Sequence, residues 1–203
     1  MSRARGLVIV ISGPSGVGKG TIADAALKRF SCLKRSVSAT TRAPRAGEVE
    51  GEHYFFRPKD EFDAMVARGE ILESTTYLDE SYGTPRAPVE AMLASGCGVL
   101  FEIDVVGARS IKSAYPDAVL VFVAPPSWEA LAERLTARAS ETAGGLARRL
   151  EVARREIESV DEYDYVIIND QVGDAVDLLS AIIKAEQARR SRVDLGYLTT
   201  FVR

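Results

Sequence analysis

Gly13-Pro-Ser-Gly-Val-Gly18-Lys19-Gly20-Thr21 follows an apolar run over residues 7–11 and leads into a helical pattern. That order, buried strand, glycine-rich turn, helix, is the layout of a phosphate-binding loop. The glycines permit a tight turn whose successive backbone N–H groups converge on an anion, and Lys19 adds a mobile positive charge for terminal phosphates. The bare spacing Gly-x4-Gly-Lys is a weak signal in a chain of 203 residues; the flanking strand and helix give it weight. Gly20 stands where a Ser or Thr hydroxyl would normally hold Mg²⁺, and the hydroxyl comes one residue later, at Thr21.

The alternation continues on both sides of this loop. Ile22, Ala25, Ala26 and Arg29 follow at helical spacing. A second strand is expected at 34–39, a loop rich in Thr, Arg, Pro and Gly at 40–51, a strand at 53–56 and a short helix from about 59 ending at Gly69. A strand over 71–77 precedes a turn at 79–83, and a helix from about Pro85 stops at Gly96, with proline at its start and glycine at its end. Apolar runs at 99–103 and 119–123 read as buried parallel strands. Helices over 128–138 and 146–160 flank a break at 140–145, before a strand at 165–168 and a helix at 174–190. The pattern implies an α/β fold, a three-layer sandwich with a mostly parallel sheet. The end, 193–203, is mildly apolar and suits packing on the core or a second subunit.

Composition excludes several classes. Hydrophobic content of 46% and charged content of 27% are ordinary for a soluble domain with a substantial core. Net charge is −3, so no overall basic field draws the chain to nucleic acid or anionic membrane, and a polyanionic ligand needs a local Arg/Lys cluster. The apolar stretch near the N-terminus is too short for a signal peptide or a membrane span, which points to the cytoplasm. Cys32 and Cys97 form no C-x-x-C pair, and two reduced thiols are expected. With His53 the only histidine, neither a Ser–His or Cys–His nucleophile nor a His-based zinc site can be assembled.

Four further features carry chemistry. Arg42 and Arg45, stiffened by Pro44, lie three apart in the 40–51 loop; they either grip a phosphate with forked donors, with Tyr54 adding a hydroxyl, or form a solvated surface. Glu73 sits inside an apolar strand, where a carboxylate without partners incurs a desolvation cost on the order of several kcal/mol. A buried salt bridge to an arginine would meet that need, and so would guanine, whose Watson–Crick edge offers two adjacent N–H donors and a carbonyl suited to Ser or Thr. Glu102 and Asp104 share one face of the 99–103 strand, with Asp104 at its carboxyl end, where open parallel sheets bind ligands; Asp104 suits a metal's water shell or a substrate base. Arg134, Arg138, Arg148 and Arg149 flank the 140–145 break, as a lid over phosphates or as an exposed charged helix.

Taken together these stretches resemble the guanylate kinase family. The resemblance rests on 13–21, Ser36-Val-Ser-Ala-Thr-Thr-Arg-Ala-Pro-Arg-Ala-Gly-Glu48, Tyr82-Gly-Thr84, Glu102-Ile-Asp104, Ala124-Pro-Pro-Ser127 and Ile168-Asn-Asp170, and spans about 6–188. It implies a nucleoside monophosphate kinase-like fold with a core at about 6–36, 86–125 and 160–188, a small GMP-binding insertion at about 37–85, a helical lid at about 134–150 and a tail at 189–203. It further implies transfer of the γ-phosphate of ATP to GMP or dGMP, with Mg²⁺ held mainly by nucleotide phosphates and water, in a cytoplasmic monomer or homodimer with no nucleic-acid or membrane partner. On this resemblance Gly13, Pro14, Ser15, Gly16, Val17, Gly18, Lys19, Gly20 and Thr21 hold the ATP phosphates and Asn169 lies near the adenine. Arg42, Arg45, Tyr54 and Tyr82 hold the GMP phosphate, Glu48 supports the arginine loop, and Ser38, Glu73, Thr84 and Asp104 surround the guanine. Lys19, Arg42, Arg134, Arg138 and Arg149 stabilise the transferring phosphoryl group. Departures are Gly20 where many members have Ser, Val106 where many have Gln, Ala139 after the lid arginine in place of Gly, and Gly144-Gly145 where the next helix usually begins. The rival readings are a non-catalytic binding module of the same fold and a kinase for another phosphorylated small molecule.

Overall fold

A computed structural model of the chain describes residues 6–77, 79–137 and 143–193. Five parallel strands form the central sheet in the order β2-β7-β1-β8-β9: β1 Val8–Ser12, β2 Leu33–Arg35, β7 Gly98–Glu102, β8 Val119–Ala124 and β9 Tyr165–Ile168. The pleat of β1 divides its side chains between two cores. Ile9 and Ile11 pack with Ile22 and Ala26 of α1 (Lys19–Arg29), Leu131 and Leu135 of α5 (Trp128–Ala137), and Leu179 and Ile183 of α7 (Val172–Gln187). Val8 and Val10 pack with Val89 and Leu93 of α3 (Arg86–Ala94) and Ala108 and Ile111 of α4 (Val105–Ala114). Helices on both faces of a parallel sheet are the three-layer sandwich that the sequence pattern implies.

A second sheet stands beside the first, in the order β4-β3-β6-β5, from β3 Ala39–Thr40, β4 Phe55–Phe56, β5 Ile71–Tyr77 and β6 Glu80–Pro85, with α2 Lys59–Ala67 between β4 and β5. Two local expectations fail here. The single strand expected at 34–39 is two, because the chain leaves the central sheet after Arg35 and joins the second sheet at Ala39. The expected turn at 79–83 is mostly strand: β5 and β6 pair as a hairpin with Tyr77 opposite Glu80, and Tyr82, Gly83 and Thr84 lie in β6. Polar side chains such as Ser81 and Thr84 obscured that strand in sequence, yet both are buried.

Two other expectations are corrected. Helix α6 runs Ala143–Ile157, so Gly144 and Gly145 fall inside its first turn and not in the break before it. Packing of Leu146 and Leu150 on the core offsets the low helix propensity of two glycines. Cys32 and Cys97, expected as separate thiols, are joined as a disulfide with Cα atoms 4.8 Å apart. Their spacing of 65 residues conceals that β2 and β7 are neighbours with Leu33 opposite Gly98, which sets the two preceding residues side by side. A reducing cytosol would hold this pair as adjacent thiols. The break residues 138–142 and the tail from 194 onward lie outside the described residues.

Candidate active site

The glycine-rich stretch joins the carboxyl end of β1 to the first turn of α1. Gly18 is the helix N-cap at φ 91°, with no side chain capping the first turn and no acidic residue within it. Those amides and the positive end of the helix dipole are therefore presented to an anion. Gly13 adopts φ 133°, and a Cβ there would stand 2.2 Å from the Val123 carbonyl oxygen of β8; one on Gly18 would stand 2.6 Å from Asn169 Nδ2. Only glycine fits either place. Lys19 Nζ donates to the carbonyls of Gly13 (2.6 Å) and Pro14 (3.0 Å), which folds the ammonium over the mouth of the loop.

Asn169, at the end of β9, is buried and holds the same loop from behind. Its Nδ2 donates to the Val17 carbonyl at 2.6 Å, and its backbone carbonyl accepts from Arg134 Nη1 at 3.0 Å. The Oδ1 of Asn169 is buried with no partner among the described residues. Arg134 is thus brought to the loop from α5, and Arg149 lies half-buried on α6. Arg138 lies outside the described residues.

The arginine loop is organised around one carboxylate. Glu48 accepts from Arg42 Nη2 at 2.7 and 3.0 Å and from the Arg45 backbone N–H at 2.8 Å. These bonds, Arg42 foremost, hold the Glu48 carboxyl below its ordinary range, and Glu48 in turn raises Arg42. The Arg42 guanidinium lies 5.4 Å from the Tyr54 ring centroid, and Tyr54 meets the Tyr82 ring edge-on at 6.0 Å. Arg42, Tyr54 and Tyr82 are gathered, while Arg45 stays exposed at the rim.

Glu73 of β5 is 7% exposed. Thr84 Oγ1, buried on the paired strand β6, donates to Glu73 Oε1 at 2.6 Å. Burial pushes the Glu73 carboxyl up, against the pull of Thr84, and the nearby Asp104 carboxylate raises it further. Asp104 caps α4 through the Gly107 N–H at 2.7 Å. A Cβ on Gly107 would sit 3.0 Å from Glu73 Oε2 and 3.4 Å from Asp104 Oδ1, so the two carboxylates flank one small space. The salt-bridge alternative for Glu73 is not realised, since it has no cationic partner among the described residues. A 370 Å³ cavity is lined by Arg35, Ser36, Ser38, His53, Tyr54 and Glu102. It takes in Ser38 and joins the arginine loop to the end of the central sheet.

Glu102 lies between this cavity and the phosphate loop. Its Oε2 pairs with Arg35 Nη1 at 3.1 Å, and Arg35 also holds Asp24 at 2.7 Å. A Cβ on Gly20 would lie 3.1 Å from Glu102 Oε1, so this carboxylate borders the space that a serine side chain would enter. Thr21 is exposed on the first turn of α1. Sequence reasoning left Arg35 unassigned and noted Glu102 without a role.

A sequence profile described as guanylate kinase matches residues 5–186. The chain belongs to the guanylate kinase family. It is 44% identical over 192 residues to the guanylate kinase of Desulfitobacterium hafniense, covering 95% of this chain and 96% of that one. It is 49% identical over 188 residues to the guanylate kinase of Nocardia farcinica, with 91% and 97% covered. The crystal structure of guanylate kinase from Anaplasma phagocytophilum superposes with a TM-score of 0.77 at 34% identity, covering 98% of this chain and 95% of that one. Family membership agrees with the three-layer fold.

Proposed function

We propose that the protein is an ATP:GMP phosphotransferase, giving ADP and GDP from ATP and GMP or dGMP, with its site residues in the following roles. The backbone N–H groups of the 13–21 loop and Lys19 hold the ATP phosphates, and Asn169 offers its Oδ1, which has no partner among the described residues, to the amino group of adenine. Arg42, Arg45, Tyr54 and Tyr82 hold the GMP phosphate on a loop fixed by Glu48. Glu73 accepts the two N–H donors of guanine, with Ser38, Thr84 and Asp104 around it. The observation that carries this reading is Glu73: a buried carboxylate with a hydroxyl partner and no cation among the described residues is suited to a ligand that brings N–H donors.

Phosphoryl transfer asks chiefly for in-line positioning and charge stabilisation. The GMP phosphate is already an anionic nucleophile, so no general base is required. Lys19, Arg42, Arg134 and Arg149, joined by Arg138, supply positive charge around the transferring group, and closure of the lid about 134–150 excludes water. Mg²⁺ fits here as an ion carried by the nucleotide. Gly20 offers no hydroxyl, and the described residues contain no cluster of three metal-ligating side chains, while Glu102 and Asp104 can bind the ion's water. When bound, the ion offsets phosphate charge. No helix among the described residues is long and apolar enough to cross a membrane; a cytoplasmic location is part of the proposal. ADP release measured with GMP, AMP, CMP, UMP and a ribose phosphate tests the assignment. Turnover with GMP and dGMP alone is expected; equal turnover with AMP would remove the guanine role of Glu73.

A further inference from the structure

The disulfide between Cys32 and Cys97 has no part in the roles assigned above. Cys32 precedes β2 and Cys97 is separated from it in space by one strand spacing, just before β7, with Leu33 opposite Gly98 in the parallel pair. Backbone contacts alone set the two cysteines side by side. Gly98 N–H donates to the Cys32 carbonyl at 2.8 Å. A Cβ on Gly6 would stand 1.7 Å from the Cys97 carbonyl oxygen, so the chain before β1 packs directly on Cys97. The Cα atoms are 4.8 Å apart, within the range that a disulfide spans without backbone movement. Cys32 is exposed and Cys97 is half-buried, so a small reagent reaches Cys32 first. β2 is the edge strand of the central sheet and pairs with β7 alone. Its carboxyl end is fastened by Arg35, which pairs with Glu102 at 3.1 Å and with Asp24 at 2.7 Å. The cysteines are 65 residues apart, and the chain between them holds the whole second sheet, with the arginine loop and Glu73.

We infer that Cys32 and Cys97 form a thiol–disulfide exchange site whose reagent is a low-molecular-weight disulfide of the glutathione type, and that oxidation there closes the segment carrying the second sheet into a covalent loop. In the reduced protein the Cys32 thiolate attacks one sulfur of the small disulfide, forming a mixed disulfide and releasing one small thiol. The Cys97 thiolate then attacks Cys32 Sγ, which forms the Cys32–Cys97 bond and releases the second. Two protein thiols are oxidised, one small disulfide is reduced to two thiols, and the cysteine protons pass to those thiols. Excess small thiol runs the same steps backward, entering at Cys32. Closing so long a loop restricts the unfolded chain, and the bond pins β2 at the end that Arg35 does not hold. The bond lies at the amino ends of its strands, whereas the glycine-rich loop follows the carboxyl end of β1. Oxidation therefore acts on the persistence of the fold and leaves the chemistry of the site alone.

The test equilibrates the full chain with dithiothreitol or with glutathione disulfide and follows intact mass and calorimetric melting, for wild type, Cys32→Ser, Cys97→Ser and the double variant. Wild type in glutathione disulfide should lose the mass of both thiol hydrogens and keep no glutathionyl group. It should melt about 4–16 °C higher than in dithiothreitol, while the double variant melts alike in both. Cys97→Ser should keep one glutathionyl group, because nothing resolves its mixed disulfide, and dithiothreitol should remove it. Cys32→Ser should be modified far more slowly, at the half-buried Cys97. Steady-state kinetics of oxidised and reduced wild type, measured well below the melting range, should coincide. Wild type that keeps two free thiols in glutathione disulfide, or that melts no higher when oxidised, would overturn the inference. Equal rates of modification in the two single variants would overturn entry at Cys32, and diverging kinetics would overturn the separation of the bond from the site.

Discussion

Replacing Glu73 with glutamine removes a charge and one acceptor while keeping the shape of the side chain. In the folded protein the carboxylate is 7% exposed and receives the Thr84 hydroxyl at 2.6 Å on Oε1, which leaves Oε2 and a second lone pair on Oε1 for a ligand. A charge-assisted hydrogen bond is worth about 1.5–3 kcal/mol, and an amide N–H turned against the guanine N–H groups adds a mismatch. Glu73→Gln should therefore lower kcat/KM for GMP by about 1.5–3 kcal/mol, or about 10- to 150-fold. The kcat/KM for AMP should barely move. The ligand-free fold should respond in the opposite sense. Burial raises the Glu73 carboxyl above its unfolded value. Its stabilising contribution is then complete below the unfolded pKa and is lost as pH rises through the folded one. The variant should accordingly melt higher than wild type at pH 8, with the gap closing toward pH 4. Steady-state kinetics at several pH values and calorimetric melting of both proteins supply the two readouts. The ratio of wild type to variant at each pH cancels titration of the GMP phosphate itself. If GMP kinetics were unchanged in a variant that melts normally, the reasoning about Glu73 would be refuted.

Three other perturbations separate the parts of the site. Lys19→Met should reduce kcat by about 100-fold or more and leave GMP affinity within a few-fold, because the two nucleotides are held by different elements; equal loss of GMP binding would contradict that division. Glu48→Gln releases the Arg42 guanidinium and the Arg45 N–H together, so KM for GMP should rise by about 5- to 20-fold while ADP affinity holds; a matching loss of ADP affinity by calorimetry would argue against it. Gly18→Ala places a Cβ 2.6 Å from Asn169 Nδ2 at φ +91°. The strain should cost about 1–2 kcal/mol, about 2–8 °C in Tm for a chain of this size, and weaken ADP more than GMP; a melting point equal to wild type would show that the loop relaxes freely.

The parts of the fold written in periodic apolar runs were legible in the sequence. β1 lies where the pattern places it because Ile9 and Ile11 are wholly buried in a contiguous run, and β9 because Ile167 is wholly buried between the exposed Val166 and Ile168; the glycine-rich turn is readable because its signal is local. Pairings between distant segments were not. The Cys32–Cys97 bond and the Arg35–Glu102 ion pair depend on which strands are neighbours, and spacing along the chain does not carry that. β6 was missed for a different reason. Of its buried polar residues, Thr84 bonds Glu73 and Ser81 pairs with Thr41 through its backbone, so the hydrophobic alternation that marks a strand is absent there. Gly144 and Gly145 misled in turn, since propensity alone places a break where tertiary packing of Leu146 and Leu150 sustains a helix.

The central claim is that both nucleotides occupy the cleft together and that the phosphoryl group passes directly between them. Following the label from [γ-³²P]ATP in the presence and absence of GMP tests this most directly. The account predicts label in the β-phosphate of GDP, in step with ADP formed, and almost none in inorganic phosphate with or without GMP. Label appearing mainly as inorganic phosphate, or no transfer to GMP by a folded, ADP-binding protein, would contradict it.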